Sequence, residues 1–137
     1  MKIGADLDGT ITSAGLYNPS IKLPWWLFYL LVPLVLSLKP DKLIIEKFET
    51  MKKWGYEIII ITARPKQLEK LTKEWLVSYR IPFDKLFCVG FGKGTKERKL
   101  KVIKEEKITI FIDDNKNCRN FLKSNSINVV GSVKQSN

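Results

Sequence analysis

The 137 residues predict a three-layer α/β domain with a parallel sheet at its centre. Apolar, β-branched runs read as strands: "KIGADLD" at the start, "YEIIIIT" (56–62), "KLFCVGF" (85–91) and "ITIFIDD" (108–114). These runs are continuous rather than alternating, which marks strands covered on both faces. Helix-like segments separate them, over 41–54, 65–79, 96–106 and 116–124. Strand alternating with helix is the pattern of parallel crossovers.

Taken in order, the first strand leads into Asp6 and Asp8, and the turn Gly9-Thr10 follows at once. In 41–54, Leu43, Ile44, Phe48, Met51 and Trp54 recur at helical spacing, and Gly55 ends the run. The second strand ends at Thr62. Pro65 then suits a first helical turn, and Leu68, Leu71, Trp75 and Leu76 form its apolar face. The third strand gives way to the lysine-rich segment "GKGTKERKLKVIKEEK", and the fourth ends on Asp113-Asp114. "INVVGSV" (127–133) is a weaker fifth strand. No repeat or linker divides the chain, so 1–137 reads as a single domain with a hydrophobic insertion over 11–40.

Composition narrows the partners. Hydrophobic content of 45% is ordinary, but 24 Lys and Arg stand against 14 Asp and Glu, a net charge of +10. Such an excess favours anionic partners, although a solvated lysine surface accounts for much of it. No basic stripe with interleaved aromatics is present, so the sequence does not point to nucleic acid as a partner. Cys88 and Cys118 form no metal-binding pattern, and Cys88 reads as a buried free thiol. No cleavable signal peptide is visible, because the first residues read as a core strand; a cytoplasmic location fits best.

In open α/β sheets, ligands bind at the carboxyl ends of the strands. Asp6 and Asp8, Thr62, and Asp113 and Asp114 all fall there. Any one of these turns is unremarkable, since Asp, Thr and Gly are common turn residues. Four carboxylates converging from separate strands require a cation or a strong separation of their pKa values. With no histidine in the chain, an all-oxygen site suits a hard ion, Mg²⁺ first. Carboxylates, a hydroxyl and a lysine around such an ion suit a phosphoryl group. One carboxylate then serves as nucleophile and its neighbour as general acid and base.

"DLDGT" (6–10), "IIIITAR" (58–64) and "FIDDN" (111–115), in this order and with a lysine helix before the last, resemble the haloacid dehalogenase-like (HAD) phosphatase superfamily, in particular its small nucleotidase-like members. The resemblance implies a Rossmann-like parallel sheet with a short cap after the first strand. It also implies a Mg²⁺-dependent phosphomonoester hydrolase working through an aspartyl-phosphate. Asp6 would be the nucleophile; Asp8 would protonate the leaving group and later activate water, its backbone carbonyl binding Mg²⁺. Thr10 would support the turn, and Thr62 with the amide of Ala63 would hold phosphate oxygens. Asp113 would bind Mg²⁺ directly, and Asp114 directly or through water. Lys93, Lys96 and Lys99 are candidates for the lysine that offsets the nucleophile's charge, with Lys99 ahead of Lys96. Arg64 would touch substrate or pair with a surface carboxylate.

The insertion contains "LPWWLFYLLVPLVLSLKP" (23–40), uncharged from Pro24 to Leu38. As a helix that stretch reaches about 22 Å, short of the ~30 Å hydrocarbon core of a bilayer. One crossing would also put the first two strands on opposite sides of the membrane. Three readings stay open: a cap over the site, a homo-oligomer interface, or a membrane-surface contact anchored by Trp25, Trp26 and Tyr29. The expected substrate is a small phosphorylated molecule, with a lipid or prenyl phosphate as the variant if the insertion faces it. A non-catalytic oligomeric or binding module on the same fold is the rival.

Overall fold

The computed structural model describes residues 1–12 and 38–132. Strand β1 (Lys2–Ala5) precedes helix α1 (Lys42–Lys53), followed by β2 (Glu57–Thr62). A 3₁₀ turn (Lys66–Leu68) leads into α2 (Glu69–Ser78), and then come β3 (Lys85–Cys88) and α3 (Thr95–Glu105). The described chain finishes with β4 (Ile110–Ile112), α4 (Lys116–Ser124) and β5 (Val129–Val130). The sheet order is β3-β2-β1-β4-β5 and every pairing is parallel. The chain thus winds outward from β1 to β3, then returns to the other side of β1 for β4 and β5. That reversal places the topological switch point between β1 and β4, where such sheets open a ligand crevice.

The pleat divides β2 between two cores. Ile58 and Ile60 pack with Ile44 and Phe48 of α1 and with Trp75 and Leu76 of α2. Ile59 and Ile61 face the other way, toward Ile103 of α3 and Cys118 and Leu122 of α4. The four isoleucines are fully buried, which explains why the run shows no alternation. The outer strands are thinner: β3 is only partly buried and Val130 of β5 is exposed, as edge strands are.

Caps fix the helix ends. The Asp41 side chain accepts from the amide of Leu43 at 2.9 Å and opens α1, and Asn115 accepts from Cys118 at 2.9 Å and opens α4. Gly55, at φ +84°, turns the chain after α1 in a conformation that side chains resist. The buried stripe of α1 is narrower than its sequence suggests. Ile44 and Phe48 are buried and Met51 packs beside them, while Leu43 and Trp54 are exposed. Leu43 lies a third of a turn off that stripe, and Trp54 stands past the last helical residue, edge-on to Tyr56. Cys88 is half-buried rather than buried; Cys118 is buried, and both thiols are free.

Gly4 sits where β1 and β4 approach closely. A β-carbon there would lie 2.7 Å from Phe111 Cδ2 and 3.0 Å from Ile108 Cδ1. Phe111 is fully buried and has no room to yield. Gly4→Ala is therefore expected to cost about 1–3 kcal/mol, read as a lower urea midpoint. An unchanged midpoint would show that the second core relaxes around the methyl.

The segment after β1 leaves and re-enters at one place. Thr12 and Pro40 form an antiparallel bridge, and the Asp41 amide donates to the Ile11 carbonyl at 2.8 Å. Residues 23–37, on which the cap, oligomer and membrane readings turn, lie outside the described residues. Among the described residues no helix is long and apolar enough to cross a membrane.

Candidate active site

Asp6 follows β1 directly, and its amide donates to the Ile112 carbonyl of β4 at 2.9 Å. Beyond it the chain coils into a tight turn. The Leu7 carbonyl accepts from the amides of Thr10, Ile11 and Thr12, with Gly9 at φ +83°. Asp113 follows β4, and its carboxylate accepts from the Asn115 amide at 2.9 Å. The adjacent strands β1 and β4 therefore deliver Asp6 and Asp113 side by side. Lys99, from the second turn of α3, closes the group: its Nζ donates to Asp6 Oδ1 at 3.0 Å and to Asp113 Oδ2 at 3.3 Å. All three side chains are buried.

Two buried carboxylates sharing one ammonium leave an uncompensated negative charge. Burial pushes the Asp6 carboxyl up to about 7, against the pull of Lys99 and with the help of the Asp113 and Asp8 charges. Burial disfavours the Lys99 charge as well, but Asp6 and Asp113 outweigh it and hold the ammonium charged. The structure brings Lys99 to the carboxylates and sends Lys96 elsewhere, its Nζ 5.6 Å from the ring centroid of Phe121. Three residues apart, Lys96 and Lys99 lie on the same side of α3 but about one turn apart along its axis, so only Lys99 is level with the carboxylates. Lys93 lies in the loop before α3, where its carbonyl accepts from Arg98 at 3.0 Å.

That loop is organised by Arg98. Its guanidinium donates to the carbonyls of Val89 at 2.6 Å, Gly90 at 3.2 Å and Phe91 at 3.4 Å, and to Thr95 Oγ1 at 3.2 Å. Those contacts fix the start of α3 and hence the reach of Lys99. Nothing in the sequence pattern set Arg98 apart from its lysine neighbours.

Asp8 is held by a different cation. Arg64 Nε donates to Asp8 Oδ2 at 2.9 Å and Nη2 to Asp8 Oδ1 at 2.8 Å, a forked pair with both side chains buried. Arg64 thus pairs with a buried site carboxylate rather than a surface one. A signal for this was present, because an arginine next to a buried strand end needs an anionic partner. Thr62 is fully buried at the end of β2, and its hydroxyl accepts from the Arg64 amide at 3.2 Å; Ala63 is buried between them.

Thr10 joins two strand ends, its hydroxyl accepting from the Asp114 amide at 3.1 Å. The Asp114 carboxylate accepts from the amide and hydroxyl of Ser132, just past β5. Ser132 was not visible as a site residue because it lies in the weakest strand segment. Among the described residues no three acidic side chains form a ready metal cage. The donor set still fits a hard ion, since Mg²⁺ takes one or two carboxylates and keeps its waters. Asp6 and Asp113 supply two such carboxylates, buried and under-neutralised.

No protein-family model matches the chain. Two curated bacterial proteins, both named "Putative nucleotidase", match part of it. The one from Bacillus cereus is 36% identical over 80 residues, 57% of this chain and 40% of its own length. The one from Halalkalibacterium halodurans is 34% identical over 68 residues, 48% of this chain and 32% of its own length. The chain thus spans less than half the length of either relative. Among solved structures, a chain of the Pnkp1/Rnl/Hen1 RNA repair complex superposes with a TM-score of 0.71 at 18% identity, over 96% of this chain and 42% of that one. A second structure of that complex gives 0.70 at 18% identity, over 96% of this chain and 46% of its counterpart. At such identity the likeness speaks for the three-layer α/β fold.

Proposed function

We propose that this chain is a HAD-like, Mg²⁺-dependent phosphomonoester hydrolase that works through an aspartyl-phosphate. The observation that carries the reading is the pair of buried carboxylates, Asp6 and Asp113, sharing Lys99 at the sheet's switch point. A buried crevice with too little positive charge is an unfavourable arrangement unless ligands complete it.

In this reading an Asp6 oxygen attacks phosphorus, and the bond from phosphorus to the ester oxygen breaks. Asp8 enters the step protonated, its proton on an oxygen lone pair that the Arg64 fork leaves open, and gives that proton to the departing oxygen, so the alcohol leaves neutral. Water then attacks the phosphoryl group on Asp6 while Asp8 takes up the water's proton, releasing inorganic phosphate and restoring both carboxyl groups. Lys99 stays beside Asp6 and offsets charge on the nucleophile and on the phosphoryl oxygens. Thr62 and the Ala63 amide hold those oxygens. Mg²⁺, held by Asp6, Asp113, the Asp8 carbonyl and Asp114 directly or through water, would supply the remaining positive charge. The names of the two bacterial relatives favour a nucleoside monophosphate as substrate.

The test is phosphate release from nucleoside monophosphates and p-nitrophenyl phosphate, with Mg²⁺ and with EDTA. Turnover is expected with Mg²⁺, falling by about 10²-fold or more on chelation. Release indifferent to EDTA would remove the metal from the reading, and no release from any phosphate would remove the hydrolase.

A further inference from the structure

The proposed chemistry asks Asp8 to meet a departing oxygen from one direction, yet its backbone gives it little guidance. Asp8 sits in a turn, directly before Gly9 at positive φ, with no helix or strand of its own. What fixes its carboxylate plane is the fork from Arg64, one bond to each oxygen at 2.9 and 2.8 Å. A two-point contact removes rotation about the last side-chain bond, which a single ammonium does not. Each Asp8 oxygen keeps a second lone-pair direction for a further partner.

Arg64 is itself immobilised. It is 1% exposed. Its remaining nitrogen, Nη1, donates to Thr72 Oγ1 of α2 at 3.2 Å, and its guanidinium carbon lies 6.0 Å from the Trp75 ring. Trp75 is tied in turn, its indole N–H donating to the Leu38 carbonyl at 3.1 Å. Helix α2 therefore holds the arginine from behind while the arginine holds Asp8 in front. Asp6 and Asp113 use a separate cation, so the arginine is not needed to neutralise the nucleophile.

We propose that Arg64 is a positioning residue that aims the Asp8 carboxylate at the leaving-group oxygen, with Thr72 bracing it from α2. The proposal rests on the hydrolase reading above, and its test separates the two. Aiming the proton donor matters when the departing oxygen needs a proton, as an alcohol does, and matters little when it leaves readily as an anion, as p-nitrophenolate does. The experiment compares a nucleoside 5′-monophosphate with p-nitrophenyl phosphate in the wild-type chain and in Arg64→Met, Arg64→Lys and Thr72→Val, with thermal unfolding of each alongside.

Arg64→Met is expected to lower kcat about 10²-fold on the nucleotide and less than about 10-fold on the aryl phosphate. Arg64→Lys restores the charge but not the fork, and should recover only part of the nucleotide rate. Thr72→Val leaves both bonds to Asp8 in place and should show the same substrate bias at smaller amplitude, so a poorly folding Arg64→Met does not remove the test. Equal losses on both substrates in these variants, or full recovery in Arg64→Lys, would overturn the positioning role and leave the hydrolase standing. A wild-type chain that turns over neither substrate would overturn both.

Discussion

Asp6→Asn is expected to lower phosphate release by about 10⁴-fold or more, the scale on which loss of a covalent nucleophile is felt. The same substitution should leave folding intact. Asn matches Asp in shape, its carbonyl oxygen still accepts from Lys99, and Lys99 keeps Asp113 as its counter-ion at 3.3 Å. It also removes a buried charge that Asp113 and Asp8 both disfavour. Denaturant unfolding should therefore place the variant within about 1 kcal/mol of wild type. Phosphate release close to the wild-type rate would show that another group takes the phosphoryl, and a collapsed fold would show that Asp6 is structural first.

Lys99→Met carries the largest stability effect expected in this chain. It leaves Asp6 and Asp113 facing each other with no cation in the group. Removing one partner from a buried ion pair costs about 3–5 kcal/mol, because the remaining charge stays desolvated. The loss should depend on pH in a definite direction. Asp6 already titrates at about 7 with Lys99 present, above its ordinary value of 3.8. Between those values the folded chain holds a proton that the unfolded chain has given up, so this group's contribution to stability falls as pH rises. Without Lys99 the native value moves higher still and the window widens upward. Urea unfolding of Lys99→Met should therefore give a midpoint closer to wild type at ~pH 5 than at ~pH 8. A deficit that is equal at both, or larger in acid, would mean that Lys99 does not serve as counter-ion to these carboxylates. Activity should fall as well, and a variant that stays folded in acid but remains inactive there would separate the two roles.

The site was legible in the sequence wherever residue type and strand position agreed. Asp6, Asp8, Thr62, Asp113 and Asp114 each follow an apolar run, and a parallel sheet sends the ends of such runs to one edge. The sequence ranked Lys99 ahead of Lys96 only by its place before the apolar run and its spacing to Asp113, and in the structure Lys99 is the one 3.0 Å from Asp6. The Arg64–Asp8 fork was harder to see. It joins residues 56 positions apart, and its geometry depends on β1 and β2 being neighbours in register. Ser132 beside Asp114 depends in the same way on the short edge strand β5 pairing with β4.

By itself the sequence determined the layer architecture, the positions of the helices to within a few residues, and the edge of the sheet that carries the carboxylates. It does so because periodicity, caps and strand-ending turns are local properties of the chain. Only the tertiary structure decided which cation meets which carboxylate: Lys99 with Asp6 and Asp113, Arg64 with Asp8. Such pairings depend on strand order and helix phase. An ion pair buried at 2.8–3.3 Å is selected by that geometry rather than by composition, and in a chain with 24 basic residues composition offers many candidates for each.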